Sequence, residues 1–350
     1  MAIEQGPRAN YYRSRPPLSR LAMRTSRILR AVLATVPLVV SPALGAQEST
    51  AASTSSPICQ SLDDAWWTGP MLAAGAGSLP RGHFLIEPYV YDVHSGQAHG
   101  LGSLTYVLYG LSNRVTVGMI PTVGFNAIPG GTSSSGIGMG DVAATAQLGL
   151  TRFRQGSWIP TTSLVVQETF PTGKYDQLGS RPSDGLGGGA YTTTVALYAQ
   201  TYFWLHNGRI LRTRLDVSQS FSNSVSVRDV SVYGTSDGFR GRAQPGSSML
   251  VDASWEYSMT RSWVLALDVM YRHGGSTTVS GTNVLRSQGT PVPPPIIDTR
   301  SGTSDAVGFA PGVEYSWKPW IGVLLAARVI PSGHNTASSI TPAIAVNIVR

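Results

Sequence analysis

The chain is short of cysteine, of charge and of long apolar runs, and each shortage removes a class of protein. Cys59 is the single cysteine. It rules out an intramolecular disulfide and any zinc site built on paired cysteines. Ser56-Pro57-Ile58-Cys59 is a poor lipidation box, too far beyond the apolar stretch that precedes it. Charged residues make up 13% of the chain, about half of the ~25% found in soluble globular proteins. The longest apolar stretch, Ala31–Val40, is too short for a comfortable transmembrane helix. Three hundred and fifty residues, 39 glycines and 23 prolines suit many strands and turns better than a helical bundle.

The formal charge of +7 belongs mostly to the beginning of the chain. Arg8, Arg13, Arg15, Arg20, Arg24, Arg27 and Arg30 face one acid, Glu4, within residues 1–46, and the remainder holds 19 basic and 18 acidic residues. A near-neutral remainder gives no basic stripe for nucleic acid, so no nucleic-acid partner is expected. Arg24, Arg27 and Arg30, then Ala31–Val40, then Pro42-Ala43-Leu44-Gly45-Ala46 follow the order of a secretory signal peptide. Cleavage is expected after Gly45 or Ala46, and Met23 fits as an alternative start. A buried apolar helix behind a basic tail is the competing reading.

Three segments follow: a leader at 1–46, a periplasmic N-terminal segment at 47–82 and a β-domain at 83–350. Residues 47–57 are rich in Ser, Thr and Ala without periodicity. From His83 onward apolar residues recur with the period of two that marks strands. Leu211, Thr213, Leu215 and Val217 oppose Arg212, Arg214 and Asp216, and Trp263, Leu265, Leu267 and Val269 oppose Asp268 and Arg272. The pattern predicts twelve strands, near 83–93, 99–109, 113–124, 139–151, 157–170, 190–205, 209–222, 247–259, 262–272, 305–317, 320–330 and 340–350.

The intervening connections alternate between short and long. His206-Asn207-Gly208, Thr260-Arg261 and Lys318-Pro319 are short, whereas 125–138, 171–189, 223–246 and 273–304 are long. Outer-membrane barrels have short periplasmic turns and long extracellular loops. Aromatic residues on the apolar parity cluster beside both kinds of connection, as two interfacial girdles require. The expected fold is therefore all-β, a transmembrane antiparallel up-and-down barrel of about twelve strands. A secreted β-sandwich is the competitor, and it offers no reason for loops to segregate by length.

Charges on the opposite parity must then face inward. Arg114, Asp141, Arg212, Arg214, Asp216, Asp252, Glu256, Asp268, Arg272, Glu314 and Arg328 are the lumen-lining candidates. Both signs occur, which suits either an ion network filling a narrow barrel or a polar path for solutes. Arg212 and Arg214 are expected to face Asp252 and Glu256 on the next strand. Pro291, Pro293, Pro294 and Pro295 restrict the last long loop.

Signals for chemistry are weak. Gly234-Thr235-Ser236-Asp237-Gly238 fits G-x-S-x-G but lacks the following helix that a nucleophile elbow needs. Gly136–Asp141 is glycine-rich, yet the next segment reads as a strand. His83, His94, His99, His206, His273 and His334 form no compact metal-ligand spacing, although His94 and His99 flank a short loop. No catalytic residue, metal or cofactor is expected.

A set of ordered motifs resembles a known family. Trp67-Thr68-Gly69-Pro70-Met71-Leu72, Leu79-Pro80-Arg81-Gly82-His83-Phe84 and Glu87-Pro88-Tyr89 resemble its N-terminal region. Tyr109-Gly110-Leu111-Ser112-Asn113-Arg114, Gly136-Ile137-Gly138-Met139-Gly140-Asp141 and Phe170-Pro171-Thr172-Gly173 resemble its later motifs. The family is that of the outer-membrane transporters named after the meta-pathway of phenol degradation. The resemblance implies a barrel assembled by the barrel assembly machinery among outer-membrane lipids. It also implies passive uptake of small hydrophobic or aromatic compounds. A closed structural or surface-interaction barrel and an outer-membrane hydrolase are the alternatives. The chain ends Asn347-Ile348-Val349-Arg350 rather than in the aromatic residue typical of such barrels, which weakens the assembly signal.

Overall fold

The computed structural model describes residues 59–96, 98–284 and 296–350. The leader, residues 47–58 and the four prolines of the last long loop lie outside the described residues. Twelve strands build the barrel: β1 Phe84–Ser95, β2 Ala98–Ser112, β3 Val115–Ile120 continued by Thr122–Ala127, and β4 Val142–Thr151. They go on as β5 Thr161–Phe170, β6 Thr192–Trp204, β7 Ile210–Ser222 and β8 Ser248–Ser258. The last four are β9 Trp263–Gly274, β10 Ser304–Lys318, β11 Ile321–Ile330 and β12 Ser339–Val349. Each pairs antiparallel with the next, and β12 returns to β1 with Tyr89 opposite Ala345. Closure removes the unpaired edges that a membrane would not tolerate.

Two strand starts differ from the expected ones. β5 begins at Thr161 rather than near 157, because Pro160 lacks the N–H a ladder needs. β4 begins at Val142, since Gly138–Met139 pairs separately with β3. Pro121 similarly divides β3. The long loops also hold structure that their sequence hides. Val225–Arg228, Phe239–Gln244, Thr278–Asn283 and Ile296–Arg300 form a separate four-stranded sheet. Val225, Val227, Phe239, Ala243 and Val279 give this sheet its own small core with Ala190.

The alternation sorts side chains as expected. Leu265, Leu267, Leu197, Leu215, Leu325 and Ile344 are exposed on the outer wall, while Asp252, Glu256, Asp268 and Glu314 are almost fully buried inside. An outer wall of exposed aliphatics is the surface a hydrocarbon layer would cover. Interior packing is divided as well. Met71, Leu72, Tyr89, Leu104, Ile120, Met270 and Leu324 form one buried apolar cluster, and β7 to β10 carry most of the inward charges. Leu267→Arg is expected to cost about 2–4 kcal/mol, the range for a cation on the lipid face near mid-membrane. Membrane-refolding titrations would read the loss. A cost near zero would place Leu267 away from lipid.

Candidate functional site: the lumen and the segment inside it

The site begins with register. Arg212 of β7 lies directly opposite Glu256 of β8, Arg214 opposite Ser254, and Asp216 opposite Asp252. Both guanidiniums reach the same carboxylate. Arg212 Nε donates to Glu256 Oε2 at 2.6 Å and its Nη2 to Oε1, and Arg214 Nε donates to Oε2 at 3.0 Å. Glu256 thus takes both arginines. Asp252 instead faces another acid. Its two carboxylate oxygens are buried without a hydrogen-bond partner among the described residues.

The acids have other partners, which the sequence did not reveal. The expected N-terminal segment spans 47–82, and part of its described stretch, 59–82, folds into the lumen. It enters past the short turns, where Gln60 N–H donates to Gly208 O at 2.8 Å and Trp66 N–H to Arg261 O at 2.9 Å. The Arg261 guanidinium beside Asp64 holds that carboxyl below its usual value. The Thr68 N–H and hydroxyl then donate to Glu314 Oε2 at 2.7 and 2.9 Å, and Gly69 N–H donates to it at 3.0 Å. Leu72 and Ala73 N–H donate to Asp268 at 3.2 and 3.3 Å, and Ala74 N–H to Asp216 at 2.6 Å. The segment leaves at the same short-turn rim, on the β2–β3 side, where Leu79 N–H donates to Thr116 Oγ1 at 2.9 Å and Gly82 N–H to Gly110 O at 2.9 Å.

This arrangement has a simple cause. A segment inside a barrel has no strand partner, so its N–H groups need acceptors from the wall. Carboxylates supply charge-assisted hydrogen bonds, roughly twice as strong as neutral ones. Arg214 Nη1 completes the clasp by donating to Ala73 O at 2.8 Å, and the Arg212 guanidinium lies 4.4 Å from the centre of the Trp67 ring. Gly69 has φ +115°, and a Cβ there would stand 3.4 Å from the Arg214 guanidinium. Only glycine takes that turn without strain beside such a neighbour.

The remaining candidates separate from this cluster. Arg114 is exposed in the turn between β2 and β3, where its N–H donates to Ser112 Oγ at 3.3 Å and its carbonyl accepts from Ser78 Oγ at 3.2 Å. The inward assignment therefore fails for Arg114, because strand parity does not extend through a turn. Asp141 is buried at the base of a long loop, where Gly173 N–H and Gly188 N–H donate to it at 3.0 and 2.7 Å. Nearby, Asp184 ties two loops together. The Ser135 backbone N–H, then its hydroxyl, hold the Asp184 carboxyl below its usual value. Arg272 and Arg328 lie toward the long-loop ends of β9 and β11. Glu87 of β1 also points inward and accepts from Asn347 Nδ2 at 3.2 Å. Sequence reading missed it because the alternation around Glu87 is ambiguous.

On the long-loop side of the segment lies a partly open cavity of about 100 Å³. Leu72 belongs to its lining, as do Tyr198, Met249, Leu250 and Met270, with Thr194, Ser218 and Ser220 and the two cations Arg272 and Arg328. Its lining is mixed, with apolar bodies beside hydroxyl groups. The G-x-S-x-G serine is far from this wall in role. Ser236 Oγ accepts from Asn283 Nδ2 at 3.1 Å in the outer sheet, and a strand follows it, not a helix.

Among solved structures, the chain is similar to a COG4313 outer membrane channel from Pseudomonas putida F1. The match has a TM-score of 0.56 at 14% identity and covers 80% of this chain and 100% of that one. The fold is that of an outer-membrane barrel. A NanC porin matches with a TM-score of 0.43 at 11% identity, covering 75% of this chain and 98% of that one. The Pseudomonas putida toluene transporter TodX matches at 0.34 and 12% identity, covering 82% and 96%. Those two scores are too low to carry any argument. No protein-family model matches the sequence, and no curated protein does.

Proposed function

We propose that the chain is a passive outer-membrane channel for small hydrophobic or aromatic compounds, delivered by a leader that is removed on export. On this reading it is not an enzyme, and it resembles the phenol meta-pathway transporters in function as in its motifs. The observation that carries the proposal is the cavity beyond Leu72. Binding sites for small molecules combine apolar walls with a few placed polar groups. The cavity, with Tyr198, Met249, Leu250 and Met270 beside Thr194, Ser218 and Ser220, has that mixed lining. The inserted segment would act as the closure of the path, and the eleven charges chosen from sequence would act as its wall only where they meet this segment or this cavity.

The segment also favours a second reading, a closed structural barrel. Planar-bilayer recording separates the two. Stepwise current that falls as benzyl alcohol is raised is the expected result. A barrel that stays silent, both as the whole chain and with the segment removed, would favour the closed barrel.

A further inference from the structure

Asp92 and His94 stand two residues apart on β1, so they share a face of the strand. His99 of β2 is the register partner of His94. That face is the outer one, because Ile86 and Val90 on the same parity of β1, and Leu101 on that of β2, are exposed. The three side chains sit at the long-loop end of the β1–β2 hairpin. The sequence places His94 and His99 on either side of a short loop, and the strand register adds Asp92 to them.

Their geometry is compact. His94 Nε2 lies 2.8 Å and His99 Nδ1 3.6 Å from the same Asp92 oxygen. The two imidazole centres are 4.3 Å apart, with planes at 71°. One ligand atom from each residue falls within 4.8 Å of the others, and no other group of three does so among the described residues. Nitrogen and oxygen ligands each about 2.0–2.2 Å from a tetrahedral ion are separated by roughly 3.3 Å, so small side-chain rotations would bring all three to one centre. The second oxygen of Asp92 is shielded from solvent and has no hydrogen-bond partner among the described residues. Each side chain remains about a third or more exposed, at 32%, 36% and 43%, so an ion can enter.

We propose that Asp92, His94 and His99 bind a borderline divalent transition-metal ion, zinc foremost, on the outer rim of the barrel. Two imidazoles and one carboxylate suit zinc, nickel or copper rather than the oxygen-seeking magnesium or calcium. Three protein ligands leave the fourth position to water. The ion would clamp β1 to β2 where the hairpin leaves the membrane.

Titration calorimetry on untagged, detergent-solubilised protein with zinc chloride tests the proposal. One ion per chain with micromolar affinity, unaffected by excess magnesium, is the expected result. His94→Ala, His99→Ala and Asp92→Asn are each expected to weaken binding by at least tenfold, with unchanged circular dichroism and heat-modifiability on gels. His273→Ala, at the separate pair with Asp305, is expected to leave binding unchanged. The proposal is overturned if no saturable binding occurs in the micromolar range. It is equally overturned if His94→Ala and His99→Ala bind as the parent does, or if the loss follows His273→Ala instead.

Discussion

Alanine at both Arg212 and Arg214 is expected to lower the barrel's unfolding free energy by about 3–5 kcal/mol, the cost of stripping the partners from a buried charge. Glu256 has no exposed surface, and both guanidiniums lie on it. Surface ion pairs would contribute only about 0–1 kcal/mol, and burial is what places this cluster in the other class. The double change also removes the cation beside Trp67 and the donor to Ala73 O, so the inserted segment loses two of its holds. Adding Glu256→Gln to the double variant is expected to restore roughly half of the loss, because a neutral side chain costs less to leave unpaired than a carboxylate. Urea-unfolding midpoints in lipid or detergent give both numbers. A double variant within about 1 kcal/mol of the parent would mean that water reaches Glu256 and screens it.

The arginine pair also marks how far the sequence could be read. Period-two alternation is a property of single strands, so it assigned Leu267 outward and Asp268 inward without knowledge of any neighbour. It could identify the charged side chains of the wall as a class. Pairing within that class depends on register, which moves in steps of a residue and leaves no mark in composition. Asp252 was expected to face an arginine; in the barrel it stands opposite Asp216. Arg114 failed for a related reason, because counting parity into a turn assigns a face that the turn does not have. Residues 66–80 were illegible in another way. They show no periodicity, and what anchors them is a series of backbone N–H groups, which every residue except proline possesses. The acids that receive them were visible. Their surplus over nearby arginines was the available clue, since an acid without a cation inside a barrel needs some other donor. Strands in the long loops escaped notice because each is short and bounded by polar turns, and their core depends on Ala190 from a different loop.

That surplus sets the second large effect. Glu87, Asp216, Asp252, Glu256, Asp268 and Glu314 point into the lumen, with Arg212 and Arg214 among them. With the segment in place, its N–H groups partly compensate Asp216, Asp268 and Glu314. A chain whose export leader is joined directly to Leu79 lacks those donors and the side chains of Met71 and Leu72 that pack against Tyr89 and Leu104. It is expected to conduct several-fold more than the parent and to prefer cations, because fixed charge of one sign in a narrow, weakly screened path concentrates the opposite ion. Potassium chloride gradients across a planar bilayer read this as a shift of reversal potential toward the cation limit. Raising salt shortens the screening length from about 10 Å at 0.1 M to about 3 Å at 1 M, so the preference should fade at high salt. The Asp216→Asn/Asp268→Asn pair within the truncated chain separates wall charge from mere widening. It should keep the raised conductance and lose much of the selectivity. Equal conductance with and without the residues between the leader and Leu79 would show that the segment does not obstruct the path. Raised conductance with no cation preference would place the carboxylates outside it.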